Sequence, residues 1–194
     1  MAGRVSAALS LALAATAFAA FSPAPGSALG LTGQSLSAVY YHPDTSSPYG
    51  GATFAPGSFT VGAGEETVGN VEDVTWLHVD FEDDVLTITF ETVLSSPTWN
   101  ASAFNGIIFT AAGAHGIEST SVNGATTMVG FDDSRVSFSG TELLVNWSGL
   151  GYVNGTVVKI DLGFGGEVPE PGTALLLSGG LLGLALRRRA RASL

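Results

Sequence analysis

The sequence contains no cysteine, and only seven of its 194 residues are lysine or arginine. The first absence removes disulfide frameworks, thiolate zinc sites, iron–sulfur clusters and cysteine nucleophiles from consideration. The second bears on partners. Five of the bases, Arg4, Arg187, Arg188, Arg189 and Arg191, sit at the two ends, so residues 31–166 hold 15 acids against Arg135 and Lys159, a formal −13. That stretch repels phosphate along its length, which excludes a nucleic-acid partner. Sustained apolar spacing at i, i+3, i+4, i+7 is also missing between residues 31 and 166, which argues against helices there. A chain of 194 residues has room for one folded domain of ordinary size.

The two ends differ from this middle. Residues 1–30 run from Arg4 through the Ala/Leu-rich segment Ala7 to Ala20 to Pro23, Pro25 and Gly26, the charged start, apolar run and small-residue exit of a secretory signal peptide. As helix, the apolar run rises about 21 Å, short of the roughly 30 Å hydrocarbon core, so cleavage is expected rather than anchoring. Export through the Sec translocon and cutting by signal peptidase follow, with Ala17 and Ala19, or Gly26 and Ala28, supplying the small residues at the cut.

At the other end three physical units stand in series. Val168, Pro169, Glu170 and Pro171 form an extended strip, because the two prolines fix φ and block helix. Residues 173–186 are an apolar helix of marginal spanning length. Arg187, Arg188, Arg189 and Arg191 follow it, and they cannot cross because a charge at mid-bilayer costs about 2.5 kcal/mol or more. The arginines therefore stay cytoplasmic and the body lies on the far side of the inner membrane.

Together the Val-Pro-Glu-Pro motif at 168–171, the glycine-containing helix from Thr173 to Leu186 and the arginine cluster at 187–191 resemble the PEP-CTERM sorting signal. That signal occurs on many otherwise unrelated secreted bacterial proteins and is read by a membrane protease of the exosortase family. The resemblance covers residues 167–194 and implies a Gram-negative host that makes exopolysaccharide. It further implies transient anchoring in the inner membrane, cleavage near the motif, and release or re-attachment at the cell surface or in the biofilm matrix. On the 31–166 body it is silent.

The body reads as all-β, because alternation of period two recurs and Gly, Asn, Asp and Ser punctuate it. Strands are expected at 35–42, 52–61, 73–81, 85–94, 104–111, 116–122, 125–131, 135–139, 142–148 and 156–162, a spacing typical of a β-sandwich or jelly roll. In the hairpin from Leu77 to Phe90, Leu77, Val79, Phe81, Leu86, Ile88 and Phe90 face inward, while Trp76, His78, Asp80, Thr87 and Thr89 face the other way. Asn123-Gly124 and Asn154-Gly155 are hairpin signals, and Asn105-Gly106 marks an expected bulge. Val39, Phe54, Phe59, Ile107, Phe109, Phe131, Val136, Phe138, Leu144, Val145, Val157 and Ile160 complete the expected core.

Chemistry is thinly signalled. Asp80, Glu82, Asp83 and Asp84 form the densest acidic knot and are the candidate calcium ligands, although they lack the glycine of an EF-type loop and suit a solvated turn. Phe131 to Arg135 reads as a turn with Arg135 paired to a neighbouring carboxylate. His42, His78 and His115 have no partner at metal-ligand spacing, and no G-x-S-x-G elbow occurs. Trp76, Trp99, Trp147, Tyr40, Tyr41, Tyr49 and Tyr152 are candidate sugar platforms if several share an exposed face. The expectation is an exported, non-enzymatic surface or matrix protein without a cofactor. A carbohydrate-binding or calcium-dependent adhesive module and a secreted hydrolase with facing carboxylates are the alternatives.

Overall fold

A computed structural model describes residues 30–165. Among them eleven strands are formed: β1 (Ser35–Tyr41), β2 (Ala52–Ala55), β3 (Ser58–Thr60), β4 (Thr67–Val71), β5 (Thr75–Phe81), β6 (Val85–Thr92), β7 (Gly106–Ala111), β8 (Ile117–Val122), β9 (Val136–Phe138), β10 (Glu142–Asn146) and β11 (Thr156–Phe164). A single 3-10 turn at Asp133–Arg135 is the helical element of the described residues. The strands make two antiparallel sheets, one ordered β3-β1-β7-β10-β9 and the other β2-β4-β5-β6-β11-β8. The expected signal helix, the apolar helix at 173–186 and the arginine cluster lie outside the described residues. No helix among the described residues is long and apolar enough to cross a membrane.

One core joins the two sheets. Leu77, Val79 and Phe81 on β5 and Leu86, Ile88 and Phe90 on β6 are all fully buried, because each pair of apolar positions two residues apart lands on the same face of a pleated strand. From the smaller sheet come Tyr40, Ile107, Phe109, Leu143 and Val145. The Phe81 and Phe109 rings, one from each sheet, meet edge-on with centroids 5.0 Å apart, and Phe90 meets Trp147 in the same way at 5.1 Å.

Several expectations fail, each for a local reason. The segment 52–61 divides at Pro56-Gly57, since proline has no N–H to give a ladder. Residues 52–55 then pair with β4 in one sheet and 58–60 with β1 in the other. Strand β4 itself has no apolar alternation, because its inward positions are Thr67, Gly69 and Val71; the Thr67 hydroxyl donates to Pro56 O at 2.7 Å and the Phe54 ring covers Gly69. At 125–131 no strand forms. Instead the Thr126 and Thr127 hydroxyls accept from Lys159 N and Val157 N at 2.9 and 2.8 Å while Thr127 N–H donates to Val157 O at 2.8 Å, so side-chain oxygens supply the acceptors of a ladder beside β11. Asn123-Gly124 therefore turns the chain without starting a hairpin, and Asn154-Gly155 is part of a crossover between sheets, since β10 and β11 belong to different ones.

Asn105-Gly106 is not a bulge, because the pairing of β7 with both neighbours runs without a shift. Gly106 is there for space: a Cβ on it would lie 1.9 Å from Val145 O. The core differs from expectation in the parity of its strands. Leu143, Val145 and Val158 point inward while Leu144 and Val157 do not, and Val39 and Phe138 remain 39% and 38% exposed.

Candidate functional site

The acidic knot is a hairpin tip. Glu82, Asp83 and Asp84 are exposed between β5 and β6, and the turn is tied by its backbone: Glu82 N–H donates to Val85 O (2.8 Å), Leu31 N–H to Asp83 O (3.1 Å) and Leu162 N–H to Asp84 O (2.7 Å). Asp80 is half-buried on the outer face of β5, opposite Thr87, with an Oδ1 that has no partner. Among the described residues no three His, Asp or Glu side chains converge on a point that could hold a metal.

Arg135 donates to Ser148 O at 2.8 Å rather than to a carboxylate. Asp132 instead caps its own turn, accepting from Ser134 N and Oγ. Those hydrogen bonds hold its carboxyl below the usual carboxylate range.

The three histidines have three different roles. His115 is a satisfied core residue. Its Nδ1 accepts from Ile117 N at 3.0 Å, so its Nε2 bears the proton and faces Glu142 O at 3.3 Å. His78, on the outer face of the larger sheet, lies between Glu65 (Nδ1 to Oε2, 2.7 Å) and Glu91 (Nε2 to Oε2, 3.1 Å). These contacts approach the ring from its two nitrogens and leave no common point for a metal. His42 stands against the edge of Tyr49 and within 3.3 Å of Ser102 Oγ.

Of the seven candidate aromatics, Tyr40, Trp99, Trp147 and Tyr152 are buried, and with Phe90 they form one cluster at one end of the two sheets. Trp76 is half-buried on the outer face of the larger sheet, in a row with Thr53, Asn70 and Glu91. Tyr41 lies on the smaller sheet and Tyr49 in the β1–β2 loop. A coplanar exposed platform is therefore not formed by these rings.

What the sequence did not reveal is a cleft of about 190 Å³ against this cluster. Its wall includes Tyr40, Tyr49, Trp99 and Tyr152, together with Glu72, Asn100 and Asn105. Two loops bring the buried rings together. Trp99 N–H donates to Leu150 O and Tyr152 N–H to Pro97 O, both at 3.0 Å, which stacks the Trp99 and Tyr152 rings at 4.8 Å and 12°. Trp99 is 9% exposed, and its indole N–H is buried without an acceptor, a costly state for a donor.

Glu72 reaches the wall by an unusual turn. Val74 N–H closes on Val71 O at 3.2 Å, and both central residues, Glu72 and Asp73, have φ of 55°. Residues with a Cβ seldom adopt this left-handed region, and turns of this sort ordinarily use Asn-Gly. The conformation is held from three sides. Glu72 N–H donates to Gly51 O at 2.8 Å, Asn70 and Asp73 exchange two hydrogen bonds at 2.7 and 2.9 Å, and the Tyr49 hydroxyl donates to the Glu72 carboxylate. That last bond raises the Tyr49 phenol above its ordinary value, and burial raises Tyr40 and Tyr152. The phenols stay neutral, which leaves Glu72 as the acid on the wall.

No curated protein and no solved structure matches the chain. The family comparison matches residues 167–189, a segment that takes in Val168-Pro169-Glu170-Pro171, the apolar run and Arg187 to Arg189. The chain thus carries a PEP-CTERM protein-sorting motif, the mark of an exported protein that is held transiently in the membrane and processed by an exosortase-type membrane protein.

Proposed function

We propose that this is a cell-surface or exopolysaccharide-matrix protein of a Gram-negative bacterium, whose β-sandwich body binds polysaccharide in that layer and catalyses nothing. Signal peptide, body and tail act in sequence: Sec export, arrest by the arginine cluster, and cutting near Pro169 to Pro171. The formal −13 of the body keeps it soluble among other copies of itself.

The observation that carries the binding role is the cleft of Tyr40, Tyr49, Trp99 and Tyr152 with Glu72, Asn100 and Asn105 on its wall. Ring surface beside convergent carboxylate and amide groups is the composition of a site for a ligand that has an apolar face and hydroxyl edges. The test is retention of the purified full chain on immobilised polysaccharide from its host. Wild type is expected to be retained and Tyr49→Ala to elute freely with an unfolding midpoint near wild type. Passage of the wild type without retention, or equal retention of Tyr49→Ala, would overturn the reading.

A further inference from the structure

We infer that the cleft takes a positively charged sugar unit, an amino sugar whose ammonium group sits on Glu72 while its ring lies against the Tyr49 and Trp99 wall. This rests on the polysaccharide-binding reading and specifies its ligand. Three observations converge on it.

The first is electrostatic. Neither lysine nor arginine pairs with Glu72: of the two in residues 31–166, Arg135 donates to Ser148 O and Lys159 lies on the outer face of β11, opposite Thr87, while the His42 imidazole, which shares the cleft wall, stands against the Tyr49 ring and beside Ser102 Oγ. A carboxylate on an aromatic wall, within a body of formal −13, attracts cations and repels anionic sugars. Tyr49, whose hydroxyl is committed to Glu72, adds ring surface rather than a competing charge.

Backbone strain is the second. Two consecutive residues with Cβ atoms at φ of 55° persist only where the surroundings over-determine them, and such outliers concentrate at ligand sites. Here the surroundings are the contacts from Gly51, Asn70 and Tyr49, and their result is to set the Glu72 carboxylate on the cleft wall.

The third is an unmet donor together with size. The buried Trp99 indole N–H lacks an acceptor and belongs to a residue lining the cleft; a sugar hydroxyl supplies one after a small ring shift. At about 190 Å³ the space is smaller than the roughly 300–1,000 Å³ of sites that enclose drug-sized ligands, so it holds one small ring rather than an oligosaccharide.

The test uses the full chain and four probes, glucosamine, N-acetylglucosamine, glucose and choline, followed by calorimetry and by the Trp99 indole resonance. Glucosamine is expected to bind at least tenfold more tightly than each of the other three and to shift that resonance. Glu72→Gln keeps an acceptor for Tyr49 and is expected to weaken glucosamine about tenfold, the effect of one lost charge contact of about 1.4 kcal/mol. Glu82→Gln removes the same charge at the exposed β5–β6 hairpin tip, outside the cleft wall, and is expected to leave binding unchanged. Equal binding of N-acetylglucosamine would overturn the charge requirement while leaving polysaccharide binding intact. Choline binding as tightly as glucosamine would overturn the sugar. Equal loss in Glu82→Gln would overturn the Glu72 contact.

Discussion

Trp147 donates its indole N–H to the hydroxyl of Tyr40 at 2.7 Å, across 107 positions of chain. Tyr40 passes the polarity on, donating to Asn105 Oδ1 at 2.7 Å, and the Asn105 amide donates to Asn100 O at 2.9 Å. One buried hydroxyl thus satisfies a donor from the residue after β10 and an acceptor from the residue before β7, and it stands beside the cleft.

Tyr40→Phe keeps the ring and deletes that hydroxyl. Both Trp147 Nε1 and Asn105 Oδ1 are then buried without partners, at about 1–3 kcal/mol each. The variant is expected to lose about 2–6 kcal/mol in urea unfolding with an unchanged m value. A loss below about 1 kcal/mol would mean that water enters and replaces the hydroxyl.

The hairpin from Leu77 to Phe90 could be read because every second residue is large and apolar, and the same parity placed Trp76 outward. Trp147 is in phase with Leu143 and Val145, so its burial was readable by the same logic. Strand β4 was hidden because Thr67 and Gly69 occupy core positions whose volume is supplied by Phe54 and whose polarity is met by Pro56 O. The cleft was hidden more deeply. Its wall is assembled from Tyr49, Glu72, Trp99 and Tyr152, each in a different connection, and the left-handed turn at Glu72-Asp73 has neither glycine nor asparagine at its centre to announce it.

Gly106 allows β7 to lie against β10. Its missing Cβ would fall 1.9 Å from Val145 O, a backbone atom on a paired strand that cannot swing aside. Gly106→Ala is expected to cost about 3 kcal/mol or more, above the usual effect of overpacking. Gly124→Ala meets nothing within 4 Å and is expected to stay within about 0.5 kcal/mol of wild type. Thermal unfolding of the pair checks the contrast.

The Glu65–His78–Glu91 bridge makes stability depend on pH in one direction. Burial opposes the charged imidazolium, but the hydrogen bonds to Glu65 and Glu91 outweigh it and raise His78 above its ordinary 6.5. A group whose folded value is raised contributes its stabilisation below the unfolded value and loses it as pH rises through the folded one. With about a third to more than half of these side chains exposed, solvent screens the pair and the effect is small. The melting temperature is expected to fall by roughly 1–3 °C between pH 6 and pH 8.5 relative to His78→Gln. An identical slope in both proteins would dissociate the bridge from stability.

The sorting segment makes the boldest demand on the cell. Proline at 169 and 171 fixes φ and gives no N–H to a helix, so the sequence at 168–171 favours the extended form in which a protease binds backbone as a strand over helical continuation from the apolar run behind it. Replacing both with alanine lets that run extend backward and withdraws the strip from the enzyme. In the native host, intact mass of the wild-type protein is expected to lack residues beyond the motif. The double variant is expected to keep the residues beyond the motif and to fractionate with the inner membrane. Normal trimming and surface display of the double variant would show that the prolines are not what the processing enzyme reads.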